Sequence, residues 1–126
     1  MAKKPSVPNK VIEKEILEDM FASMRKQANI HPKQKLLWGY FFTHTEPTLL
    51  EKASDLLLKK GYDFVEIYET EKDSPESINN WWLHVEKIEK HTVSSLDKRN
   101  DEFYLFAHNL GLFSYDGMDV GPVTKA

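Results

Sequence analysis

"KLLWGYFFTHTEPTLLEKASDLLLKKGY", residues 35–62, decides how the rest of the chain is read. Its first ten residues are too apolar and aromatic for an exposed strand. Leu36, Trp38, Tyr40 and Phe42 alternate with Leu37, Gly39 and Phe41, so both faces call for cover and a central strand is predicted. A helix follows, because Leu49, Leu50, Ala53, Leu56 and Leu57 recur at the spacing of one helical face. Thr45 is the expected cap, Glu46 and Pro47 fill the first turn, and Lys59 and Lys60 fill the last before Gly61 stops it.

Downstream the same grammar repeats. "YDFVEIYE", residues 62–69, alternates imperfectly, as an edge strand does, and "TEKDSPESIN" is a polar loop. "WWLHVEKIE", residues 81–89, resumes a strand with Trp81, Leu83 and Val85 on one face and Trp82, His84 and Glu86 on the other. "SSLDKRNDEFYLFAHNLG" is a second helix, with Ser94 and Asp97 as its expected capping box and Gly111 as its stop. A last short strand begins at "LFSYDG".

The order β-α-β-β-α-β predicts an α+β, ferredoxin-like sandwich: a four-stranded antiparallel sheet with the first and third strands central. Upstream, Ile12, Ile16, Met20, Phe21 and Met24 predict an extra N-terminal helix over about residues 10–28, with Asn9 as its cap. Its apolar stripe must be buried either on the open sheet face or on a partner. The expected organisation is a tail at 1–8, a helical segment at 9–30, the ferredoxin-like domain at 35–121 and a short tail at 122–126.

Composition limits the chemistry. The 126 residues are 40% hydrophobic and 29% charged, and they contain no cysteine. Disulfides, thiolate nucleophiles and cysteine-based zinc sites are therefore excluded. The basic start has no apolar segment behind it, and no apolar run approaches the roughly 18–20 residues of a membrane span, so a soluble cytoplasmic protein is expected. None of the five histidines forms an HxH, HxxxH or HExxH pattern. His44 and His84, on adjacent strands, are the one pair worth weighing for acid–base work. Asp116 and Asp119 flank Gly117 but lack the alternating twelve-residue ligand pattern of a calcium loop. The reading is of a non-enzyme that needs no metal or cofactor.

Net charge is −3, unevenly spread, with residues 61–80 carrying one lysine against six carboxylates. Glu66, Glu69, Glu71, Asp73 and Glu76 form an acidic block next to the vicinal pair Trp81-Trp82. The two indoles of such a pair point to opposite sheet faces, which leaves one free to anchor a protein partner. The sign of the block is opposite to that of a duplex nucleic-acid binder. Single-stranded RNA remains an alternative if Tyr40, Phe42 or Trp82 is exposed for base stacking.

Taken in order, "WGYFF", a Leu-rich helix ending "KKGY", "WWLHVEK", a helix containing "LFAHNLG" and then "SYDGMDVG" resemble the family of the regulator of ribonuclease E activity, type B. The resemblance spans about residues 36–121, and its most specific piece is Tyr115-Asp116-Gly117. It implies a ferredoxin-like fold and a non-catalytic role, restraining RNA decay by binding the endoribonuclease. In "SYDGMDVG" an edge strand and its turn are expected, with Asp116 either holding the turn or facing a partner. The expected partner-binding residues are Glu66, Glu69, Glu71, Asp73, Glu76, Trp81, Trp82 and Asp116. A protein that neutralises a bacterial toxin is the second alternative.

Overall fold

Antiparallel pairing of the two most apolar strands organises the molecule. The computed structural model describes residues 7–27, 30–70 and 80–123. In it β1 (Leu36–His44) lies between β3 (Trp81–Glu89) and β4 (Ser114–Gly121), and β2 (Asp63–Glu69) forms the edge beyond β3. Helices α2 (Pro47–Leu58) and α3 (Val93–Leu110) make the two crossovers, and α1 (Lys14–Met24) precedes the sheet. This is the ferredoxin-like α+β sandwich that the element order predicts, with the first and third strands central.

One face of the sheet carries the core. Leu36, Trp38, Tyr40 and Phe42 of β1, Leu83 and Val85 of β3 and Tyr115 of β4 are buried against Leu50, Ala53 and Leu57 of α2 and Leu96, Phe103 and Ala107 of α3. Phe103 ties the layers together, its ring centroid 4.8 Å from Tyr40, 5.3 Å from Phe42 and 5.3 Å from Tyr115. The fully buried Asn100 accepts a 2.6 Å hydrogen bond from the Tyr115 hydroxyl, so neither polar atom is stranded.

The N-terminal helix joins this same layer. Leu17, Phe21 and Met24 are buried, α1 packs against α3, and Phe21 stacks on Trp38 at 6.2 Å. It is shorter than the predicted 10–28. Asn9 occupies a positive-φ turn instead of a cap, and the Tyr104 hydroxyl accepts hydrogen bonds from the backbone of Val11 (3.2 Å) and Ile12 (3.1 Å). Lys10 pairs with Asp97 (3.0 Å) and Asp101 (2.7 Å). These bonds hold residues 10–12 against α3, so the helix starts only after Glu13.

The caps also sit differently from the prediction. Glu46, not Thr45, is the N-cap of α2, with Pro47 at the first helical position. In α3 the capping box is Thr92–Ser95: Thr92 Oγ1 accepts from the Ser95 N–H at 3.1 Å, and Ser95 Oγ accepts from the Thr92 N–H at 2.8 Å. Asp97, predicted to cap, binds Lys10 instead. Gly111 closes the helix at φ 85°, as its position predicts.

Two β-bulges re-aim the edge strands. In β2 the register slips at Val65, between the pairs Phe64–Val85 and Glu66–His84, which accounts for the imperfect alternation of its sequence. In β4 the slip falls at Asp116, between the pairs Phe42–Tyr115 and Phe41–Gly117, with Gly117 at φ 131°. "SYDGMDVG" is therefore an edge strand throughout, and Asp116-Gly117 is a bulge within it rather than the expected turn.

Candidate functional site

Because α1, α2 and α3 share one side of the sheet, the described residues leave its other side open. Strand register fixes that side row by row. Asp63, Glu86, Gly39 and Asp119 line up across β2, β3, β1 and β4; Glu66, His84, Phe41 and Gly117 form the next row; Tyr68, Trp82, Thr43 and Ser114 form the third. Leu37, Ile88 and Gly121 stand at the far end.

Two properties coexist on this face. Its centre is aromatic: Phe41 stacks on His84 at 4.3 Å, Tyr68 stacks on Trp82 at 6.2 Å, and Phe41 meets Trp82 edge-on at 6.3 Å. Its surround is acidic, with Asp63, Glu66, Glu86, Asp119 and the bulged Asp116, and no lysine or arginine holds an open-face strand position. Tyr68 registers that charge. Burial first, then the carboxylates of Glu66, Asp116 and Asp119, push its phenol above the ordinary range. Burial alone raises Asp116. Two ring nitrogens on this face, Trp82 Nε1 and His84 Nε2, are buried without a hydrogen-bond partner.

The structure brings three of the predicted residues, Glu66, Trp82 and Asp116, to this one face. Glu69 pairs with Trp81 on the helix-bearing side, where Trp81 packs against the core. Glu71, Asp73 and Glu76 lie outside the described residues. The face also contains Phe41, Asp63, Tyr68 and Glu86, which sequence reasoning did not single out, together with His84 and Asp119, which it weighed only for acid–base and metal chemistry. A signal was present in "WGYFF", where Gly39 and Phe41 alternate away from Trp38, Tyr40 and Phe42. Both faces of β1 were expected to be covered, whereas the Phe41 face is shielded mainly by the neighbouring aromatic rings.

Tyr40 and Phe42, offered as a stacking platform for bases, are fully buried under the helices. His44 and His84 do not meet: Trp81 is the partner of His44, Phe41 is the partner of His84, and the two side chains lie on opposite faces. His44 Nδ1 accepts the Phe113 N–H at 3.1 Å. Among the described residues no group of three His, Asp or Glu is placed to hold a metal, and no helix is long and apolar enough to cross a membrane.

A polar cluster under the helices belongs to the fold. Glu89 accepts from the Tyr40 hydroxyl at 2.5 Å and Arg99 Nη1 at 2.6 Å, and His91 Nε2 lies 3.2 Å away. His91 Nδ1 meets Ser95 Oγ at 2.9 Å. Burial works against the Glu89 charge, but the bonds from His91, Tyr40 and Arg99, with the charge of Arg99, outweigh it and hold the carboxyl at about 2. On the outer side of the helices, a groove of about 470 Å³ between α2 and α3 carries Leu105 and Phe106 with one charge of each sign, Lys60 and Glu102. It offers a partner little electrostatic selection.

Residues 14–120 match the model of a protein family described as regulator of ribonuclease activity B. No curated protein matches the chain.

Proposed function

The chain belongs to the regulator of ribonuclease activity B family, and from that premise we propose that it restrains a ribonuclease E-type endoribonuclease by docking on it through the open sheet face. Regulation rather than catalysis is what the family membership implies. The observation that carries the finer reading is the pairing of an aromatic centre with an acidic surround on the one sheet face that the described residues leave uncovered. Aromatic rings supply contact area at the centre of an interface, while carboxylates around them steer a basic surface into register and repel phosphate. The same sign of charge favours a basic protein over RNA as the occupant. Glu66, Trp82 and Asp116 are the proposed contacts.

The test is binding and inhibition measured together. Glu66→Lys/Asp116→Lys should weaken binding to the purified endoribonuclease by at least tenfold and relieve restraint of RNA cleavage. Its melting temperature should stay close to that of the parent, because both side chains are exposed. Raised salt should slow association of the parent protein. Unchanged affinity in the folded double variant would remove the open face from the proposal.

A further inference from the structure

We infer that the outer edge of β4 takes an extended segment of a protein partner, alternately apolar and basic, which pairs with the strand backbone and sends an apolar side chain into the cavity beside it. This is a second contact surface. It meets the open face at Asp116 but does not depend on what docks there.

β4 lies at the edge of the sheet. β1 is its neighbour on one side, and among the described residues no other backbone hydrogen bond reaches it. Alternate residues of an antiparallel strand bond to opposite sides, so the outward N–H and C=O groups of β4 are unpaired. Gly117–Gly121 pairs with β1 in unbroken register, which leaves a regular template on its far side. Where the strand bends, at the Asp116 bulge, a cavity of about 400 Å³ opens between β4, the end of α3 and the segment at 9–11. Val11, Tyr104, Ala107, Leu112 and Phe113 give it apolar walls. Val11 and Phe113 are 74% and 65% exposed, the two highest values among the large hydrophobic side chains described. The Tyr104 hydroxyl, bonded to the N–H groups of Val11 and Ile12, fixes the wall that Val11 forms. Tyr115 is buried on this side of the sheet and lines the cavity, so alternate side chains of an added strand enter it.

Charge selects the occupant. Sheet edges are ordinarily guarded by lysine, proline or a bulge. Between Ser114 and Gly121 there is neither lysine nor proline. The guards are the bulge and two aspartates, Asp116 and Asp119, neither of them ion-paired among the described residues. A second copy of the chain, paired antiparallel about the middle of β4, sets Asp116 opposite Asp119 twice over, and like charges so placed repel. A strand with lysine or arginine on its open-face side brings cations there instead, while its intervening apolar residues face the cavity. Main-chain bonds then supply affinity whatever the sequence, and the cavity and the two aspartates supply selection.

A fluorescein-labelled peptide of alternating valine and lysine, as long as β4, titrated by anisotropy against the full chain at about 0.15 M salt, tests the inference. Two peptides of the same length separate the causes: one carries glutamate in place of lysine, and one is N-methylated at every residue and so cannot pair. Each should bind about tenfold more weakly than the parent peptide. Binding of the parent peptide should slow amide exchange within Gly117–Gly121 and leave β2 unchanged. Val11→Asp/Phe113→Asp should lower affinity by a similar factor with little change in melting temperature, since both side chains are exposed, whereas Phe64→Asp on β2 should keep it. No binding of the parent peptide, equal binding of the N-methylated or glutamate peptide, slowed exchange in β2 in place of β4, or unchanged affinity in the folded Val11→Asp/Phe113→Asp variant would overturn the inference. A dimer seen by sedimentation, with the β4 amides already slowed in it, would give the edge to a second copy and overturn the inference as well.

Discussion

Glu89→Gln should cost about 3 kcal/mol at neutral pH, and that cost should vanish in acid. Glu89 is 13% exposed at the foot of β3, with Tyr40, His91 and Arg99 converging on one carboxylate oxygen. They hold its pKa at about 2, against 4.5 for the free side chain. A folded-state value below the unfolded one stabilises the fold above the unfolded pKa, and the contribution disappears as pH falls through the folded value. A depression of about 2.5 units at 1.36 kcal/mol per unit is on the order of 3 kcal/mol, present above about pH 5 and gone near pH 2. Glutamine keeps the shape and an acceptor oxygen but removes the charge facing Arg99. Urea denaturation of both proteins at pH 7, 5, 3.5 and 2.5 gives the stability difference at each pH. Titrations common to both chains cancel in that difference. It should hold near 3 kcal/mol from pH 7 to 5 and shrink steadily below. A difference that does not change with pH, or one under about 1 kcal/mol at pH 7, would refute the reasoning. Arg99→Met added to Glu89→Gln should recover part of the loss, because the unpaired cation then goes as well.

Other expectations concern separate parts of the molecule. Tyr115→Phe strands the carbonyl of the fully buried Asn100 and should cost about 1–3 kcal/mol in urea denaturation. Thr92→Ala removes half of the capping box of α3 and should cost about 1 kcal/mol by the same measurement. Tyr104→Phe leaves two backbone N–H groups of the 10–12 segment unpaired, so amide exchange at Val11 and Ile12 should speed up well before that of the sheet. Trp82→Phe should alter fluorescence quenching by a bound partner much more than Trp81→Phe, because Trp81 packs toward the core on the opposite side of the sheet.

Much of the fold was legible because its signals are local. The stripe Leu49, Leu50, Ala53, Leu57, with Pro47 before it and Gly61 after it, needs no tertiary partner to be read as a helix. The apolar density of "KLLWGYFF" and "WWLHV" marked the two central strands, since only strands flanked on both sides accumulate so many large residues. What failed locally failed where side chains had competing uses. Asp97 satisfies the grammar of a cap, yet Lys10 claims it from 87 residues away. Asn9 satisfies the grammar of an N-cap, but Tyr104 holds the chain that follows in an extended path.

The candidate site divides along the same line. Sequence alone determined that this is a cysteine-free α+β chain with acidic charge concentrated near a tryptophan pair, and that those two tryptophans must part to opposite faces. Period-2 alternation is a property of any strand, whatever it pairs with. Only the tertiary structure decided which tryptophan faces outward, that α1 joins the helical layer instead of covering the open face, and that Asp63, Glu86 and Asp119 share a row with Gly39. Pairing register depends on bulges and contacts between residues far apart in the chain. A slip of one residue, such as those at Val65 and Asp116, moves a side chain from one face to the other.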